Sequence, residues 1–237
     1  MDGILGLSGS RYFVVQSTLR MTHQNPTQEL AHIRGLMERS TRFLSLSGLS
    51  GIIAGVVALG GASLARYHTD HALVADQDAL TYGTVRGQVV LDDLRITLLS
   101  DAALVLFVAL LGAFWFTWRR SVRTGQHLWD ASAQRLLVNM LVPLSVGGIF
   151  CLALFYYGLP GLVAPATLVF YGLALFNASK YTLDEIRWLG VSELVLGLVA
   201  LFWLDAALLF WAVGFGVLHI FYGGLMYLRY ERSADRP

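Results

Sequence analysis

Charge is scarce in this chain. Only 14% of its 237 residues are Asp, Glu, Lys or Arg, against about 25% in a soluble globular domain. Hydrophobic types make up 56%, and mean hydropathy is +0.59. Too few charges remain to cover a solvated surface, which excludes an ordinary soluble domain. The balance of 17 basic against 16 acidic residues leaves no excess for a nucleic-acid surface. Cys151 is the single cysteine, so an intrachain disulfide is impossible. HExxH, GxSxG, histidine-rich sets and phosphate-binding glycine loops are all missing, so the motifs that usually carry hydrolytic or phosphoryl chemistry are absent. No enzymatic activity is expected. A haem held between two membrane histidines is disfavoured, because His219 is the single histidine inside an apolar run. No cofactor is expected either.

Long apolar runs are what the chain has in abundance. Six stand out, at about 43–65, 95–118, 136–157, 161–178, 188–204 and 206–228, each near the ~20 residues that a membrane-crossing helix needs. The connections at 158–160 and 204–206 are so short that the helices they join must be antiparallel. The expected fold is therefore all-α: a polytopic six-helix transmembrane bundle of three antiparallel helical hairpins, with an amphipathic N-terminal helix. The division is a cytoplasmic segment 1–42, the transmembrane domain 43–228 with an outer loop at 66–94, and a cytoplasmic tail 229–237. Residues 1–20 do not read as a signal peptide, since no basic start precedes a long apolar core, and Met21 stands as an alternative start.

The basic residues orient the chain. Arg66, Arg86 and Arg95 fall in the outer region, and the remaining 14 of the 17 lie before span one, in 119–135, in 180–187 and after span six. The positive-inside rule places those segments, and both termini, in the cytoplasm of a bacterial inner membrane. Asn25-Pro26-Thr27-Gln28 carries helix-start signals. Leu30, Ile33, Leu36 and Met37 then share one face, as in a helix lying on the inner leaflet. The segment 119–135 sets arginines beside Leu128 and Trp129, which suits contact with lipid headgroups. Membrane lipids are the expected partners, with a second copy or a partner membrane protein as further candidates.

An internal repeat is legible. "GLSGIIAGVVAL" (48–59) aligns with "GVSELVLGLVAL" (190–201), so that Gly48 matches Gly190, Ser50 matches Ser192 and Gly55 matches Gly197. "DAALVLF" (101–107) aligns with "DAALLFW" (205–211), and "PATLVFY" (165–171) resembles both. The stretch "LGVSELVLGLVALFWLDAALLFWAVGFGVLHIFYGG" resembles the short repeat of the HdeD-type acid-resistance membrane proteins. "MERSTRFLSLSGLSGIIAG" is similar to uncharacterised six-span membrane proteins of Bacteroidota. Neither resemblance supplies a catalytic motif; the first implies a link to envelope or acid stress.

Polar residues within the apolar runs are the candidate functional groups. Glu193 has no counterpart in the repeat, where Gly51 and Val146 match it, and Gly190, Gly197 and Ala200 share its face. His219 lies with Ala212, Gly216 and Gly223. In an antiparallel hairpin centred near Asp205 the two residues fall close in depth, so Glu193 and His219 are expected as an intramembrane polar pair. Such a pair passes or stores a proton, or locks two helices together. Asp205 is expected to cap the last helix, and Asp101 is a candidate outer-side acid. His68, Asp70 and His71 are the residues that would ligate a metal, but their spacing matches no metal signature and none is expected. Gly51-x-x-x-Gly55 is expected to pack inside the bundle. The expected function is a non-enzymatic scaffold, regulator or accessory subunit; the alternative is a proton-linked or small-solute transporter or channel using Glu193 and His219.

Overall fold

In the computed structural model the described residues are 46–75, 85–125 and 129–232. Among them there is no strand. α1 runs Gly48–Ala75, α2 Val85–Thr124, α3 Ala131–Tyr156, α4 Val163–Ala178 and α5 Asp184–Ala200. The final stretch, Leu204–Glu231, is a composite: a 3₁₀ turn, then α6 (Ala207–Trp211), a π-helical segment Ala212–Leu218, α7 (His219–Met226) and a second π-helical segment Tyr227–Glu231. It is called the C-terminal helix below. The amphipathic helix expected over 25–39 lies outside the described residues.

Five stretches are long and apolar enough to cross a membrane: Gly48–Val74, Gln88–Arg123, Ala131–Tyr156, Pro160–Tyr181 and Leu204–Glu231. Their outward faces are apolar too. Phe107, Leu111 and Phe114 on α2 and Leu141, Ile149 and Leu152 on α3 are all exposed, where a helix facing water would present polar side chains. Lipid is the solvent that suits such a surface, and a helix satisfies its own backbone hydrogen bonds there. The span expected at 188–204 differs from the rest. α5 has 17 residues, about 25 Å at 1.5 Å per residue, and the chain turns at 201–203. The apolar run there includes turn residues, because hydropathy does not distinguish a turn from a helix end.

The region 66–94, expected as an outer loop, is largely helical. α1 continues to Ala75 and α2 begins at Val85; residues 76–84 lie outside the described set. No proline or glycine interrupts residues 62–75, and an Arg66–Asp70 pair at 2.8 Å supports the exposed turns. Polarity ended the apolar run without ending the helix. α2, at 40 residues, is about 60 Å long, twice the ~30 Å of a bilayer's hydrocarbon. Pro143 lies inside α3. Asp130 accepts from the Ala133 amide at 2.7 Å and caps α3.

The helices pack as antiparallel neighbours. On α1 and α2, Gly112 faces Ile53 and Gly61 faces Val105. On α3 and α4, Gly147 faces Phe170, and Asn177 Nδ2 donates to Asn139 O at 3.1 Å. α4 and α5 make a close seam in which Gly172 lies on Gly190 and Leu194, and Gly197 lies on Leu168 and Val169. α1 meets the C-terminal helix through Gly51 and Gly55, which face Gly223 and Gly216; the Gly51-x-x-x-Gly55 face does pack inside the bundle. The spatial order is α2, α1, C-terminal helix, α5, α4, α3, and the two outermost helices make no extensive contact with each other.

Side-chain clips tie one end of the bundle. Glu231, at the end of the C-terminal helix, accepts from the Gly48 amide at 2.5 Å and from Ser47 Oγ at 3.2 Å, so it caps α1 from another helix. Arg120 of α2 donates to the same carboxylate at 3.1 Å and to the Leu46 carbonyl. Arg229 and Tyr230 hold Glu185 of α5 at 2.7 and 3.1 Å. Arg119, Arg123, Arg135, Lys180, Arg187 and Arg232 are at this same end, whereas Arg66 and Arg95 are at the other.

Candidate functional site

Glu193 is wholly buried, at 0% exposure. α5 carries it midway along, and three small residues make room for it. Gly190 and Gly197 on its own helix let α4 approach, since a Cβ at Gly197 would come within 2.8 Å of Leu168 and Val169. Across the seam, a Cβ on Gly214 would lie 2.5 Å from Glu193 Oε2 and from Leu168 Cδ2. Gly214 belongs to the π-helical segment Ala212–Leu218. The wider π turn is a feature that recurs at functional sites.

The same segment leads directly into His219. Its Nδ1 lies 3.3 Å from Glu193 Oε1 and 3.1 Å from the Gly214 carbonyl, and its Nε2 lies 2.9 Å from the Tyr171 hydroxyl. One assignment satisfies the ring: Nδ1–H donates to the Gly214 oxygen, and Nε2 accepts from Tyr171 O–H. The imidazole is then full. The carboxyl is not. The 3.3 Å approach lacks hydrogen-bond alignment, so neither Glu193 oxygen has a hydrogen-bond partner among the described residues. Buried polar groups are nearly always partnered, and an exception marks a strained or functional place. An ionised carboxylate here would cost several kcal/mol. A proton held on the Glu193 carboxyl removes that cost; passed to His219 it leaves an ion pair, which offsets only part of it.

Aromatic rings enclose the pair. His219 stacks with Tyr171 at 5.4 Å and with Phe215 at 5.8 Å between centroids. Phe215 also meets Tyr171 and Trp211, each at 4.9 Å. The sequence thus placed Glu193 and His219 together correctly but missed Tyr171. Spacing on two helices brings the first two to one depth, whereas Tyr171 arrives on a third helix and looks in sequence like any interfacial tyrosine. The π segment was missed as well; "AVGFG" carries two glycines, but hydropathy treats them as ordinary helix.

Asp101, the outer-side acid, pairs with His68 Nδ1 at 2.7 Å and is 8% exposed. It joins α1 to α2 near the end opposite the Glu231 clip. Beside it is an open cleft of about 440 Å³, lined by Tyr67, His68, His71, Asp93 and Thr97 among others. The metal candidates do not converge: His68 is on Asp101, Asp70 is on Arg66, and the His71 ring is edge-on to Tyr67 at 5.3 Å. Among the described residues no group of three metal-ligating side chains comes together. Asp205 does not cap the last helix. It sits within the 3₁₀ turn Leu204–Ala206, exposed, and neither that turn nor α6 has a side-chain cap. The 3₁₀ turn puts Ala206 at the cap position of α6, one residue after Asp205.

No family model, no curated protein and no solved structure matches this chain.

Proposed function

We propose that the chain is a proton-linked permease or channel of the bacterial inner membrane, with Glu193, His219 and Tyr171 as its intramembrane proton-binding site. The carrying observation is the orphaned carboxyl: a fully buried Glu193 with neither oxygen hydrogen-bonded, 3.3 Å from a histidine. A residue kept only to lock helices would be expected to have its hydrogen bonds made. An acid that must gain and lose a proton keeps an oxygen free for it. His219 suits the exchange because an imidazole nitrogen can either accept or donate a proton, and Tyr171 holds the ring in place.

The proposal includes six passes in three hairpins, with α5 as a short fifth crossing and both termini cytoplasmic. The antiparallel order of the helices supports it, as does the gathering of basic residues at one end. The repeat is supported by the matched glycines: Gly48 and Gly55 on α1 and Gly190 and Gly197 on α5 all face a neighbouring helix. At the equivalent places α3 carries Pro143 and Phe150, and α3 lacks the corresponding close neighbour.

Reconstitution into liposomes with an internal pH dye tests the function. Under an imposed pH gradient, wild-type vesicles should acidify faster than protein-free ones, and Glu193→Gln should return the rate to background. Wild-type flux equal to that of empty liposomes, across pH 5 to 8, rejects the reading.

A second reading is favoured by a different observation. α2 and α3 turn Phe107, Phe114, Leu141 and Ile149 outward and flank the bundle without closing it, as a scaffold or accessory subunit with a membrane partner would. Absent flux together with a defined complex in native mass spectrometry supports this alternative. Its link to envelope or acid stress rests on the HdeD resemblance alone.

A further inference from the structure

We infer that Glu193 exchanges its proton with the arginine-bearing end of the bundle, along the seam between α5 and the C-terminal helix, and that Leu189 and Met226 form the apolar layer gating this route. The inference rests on the proton-binding reading above and adds to it a direction and a gate.

The two sides of Glu193 differ in chemistry. Toward the arginine-bearing end, polar groups recur along one seam. Ser192 Oγ, on the residue next to Glu193, lies 3.4 Å from Tyr222 OH. Two turns further on, Tyr230 OH contacts both Glu185 oxygens at 3.1 Å, and Glu185 holds Arg229 at 2.7 Å. The Arg229 side chain is 71% exposed, so the series ends in water. The titratable groups along it are His219, Tyr171, Tyr222, Tyr230, Glu185 and Arg229.

Two gaps break the series: no hydrogen bond joins the Ser192–Tyr222 pair to either Glu193 oxygen, and one apolar interruption follows. Between the Ser192–Tyr222 pair and the Glu185–Tyr230 pair sit Leu189 and Met226, both buried and members of one apolar cluster. Residues 185 and 192 are two helical turns apart, about 10 Å, so the interruption is a single layer. Met226 is an unbranched, flexible side chain that changes rotamer easily. It sits where α7 passes into the π-helical segment Tyr227–Glu231. Toward the opposite end the filling is different. Leu168 and Ala200 are 0% exposed, Gly197 and Gly214 close tightly on Leu168, and Phe215 stacks over His219. Leu168, Val169 and Phe215, packed against glycines and His219, separate Glu193 from that end, and no polar side chain is among them.

A proton taken from water at the Arg229 surface therefore has hydroxyls on both sides of the Leu189–Met226 layer. It ends on a Glu193 oxygen, and its release reverses the same steps.

Side-specific thiol labelling tests this on the full chain with Cys151→Ala as background. Ser192→Cys is treated with a small membrane-impermeant methanethiosulfonate in right-side-out and inverted vesicles. Arg229→Cys and Asp205→Cys report the two faces. Ser192→Cys should react from the face that labels Arg229→Cys and not from the face that labels Asp205→Cys, and Met226→Ala should speed the reaction severalfold. Reaction from the Asp205 face, from both faces, or from neither overturns the route. Tyr222→Cys serves if Ser192→Cys does not fold. The two failures are separable: background flux in the wild type removes the proton reading, whereas wrong-face labelling with flux intact removes only the route.

Discussion

Replacing Gly172 by alanine should separate α4 from α5. A Cβ there would stand 2.7 Å from the Gly190 carbonyl oxygen, 2.7 Å from the Leu194 amide nitrogen and 3.0 Å from the Leu194 Cα. All three are backbone atoms, so no side-chain rotation relieves the clash and the helices must part. Restoring ordinary contact takes about 0.7 Å, a gap that forfeits a quarter to a half of the dispersion attraction for each facing atom pair. Overpacking of this kind costs about 1–3 kcal/mol. Against it stands a gain of about 1 kcal/mol from alanine's better helix propensity. The net expectation is a loss of roughly 0–2 kcal/mol, or up to about 8 °C in melting temperature for a chain of this size, and about 1–3 kcal/mol relative to a glycine-to-alanine change that meets no contact. Thermal unfolding in detergent measures it. Gly148→Ala is the matched control, because nothing lies within 4 Å of a Cβ at that position; it should hold or raise the melting temperature. If Gly172→Ala melts no lower than Gly148→Ala, the seam is not close-packed as described.

Two further outcomes follow from buried polar groups. Glu193→Met should leave the melting temperature unchanged or raise it by about 1 kcal/mol equivalent, since an orphaned acid gives way to a similar apolar volume, while proton flux is lost. A marked destabilisation would mean that Glu193 is a helix lock and not a proton site. Glu231→Ala removes the cap of α1 and the contact to Arg120 together. It should cost about 1–2 kcal/mol in the same melting assay, and an unchanged melt would show that water replaces the carboxylate freely.

The membrane habitat and the all-helical build were written in composition, because a chain this poor in charge and rich in apolar runs has no other way to cover its surface. The pairing of Glu193 with His219 was legible for a related reason. A short turn fixes the depth at which facing residues of two helices meet, and small residues mark the faces that touch. Helix ends were a different matter. Hydropathy tracks solvent, so α1 was cut at Arg66 although its hydrogen bonds run on to Ala75, and α5 was given turn residues that are merely greasy. Tyr171, the Glu231 cap and the partner of Asp101 lay beyond reach, since each depends on which non-adjacent helices touch. That choice is made by glycine positions acting through packing in three dimensions. Sequence alone determined what kind of solvent surrounds this protein and which two acid-base groups share a depth. Only the tertiary structure decided that the carboxyl of Glu193 would be left without a hydrogen bond, because whether a buried group is satisfied depends on every helix that closes around it.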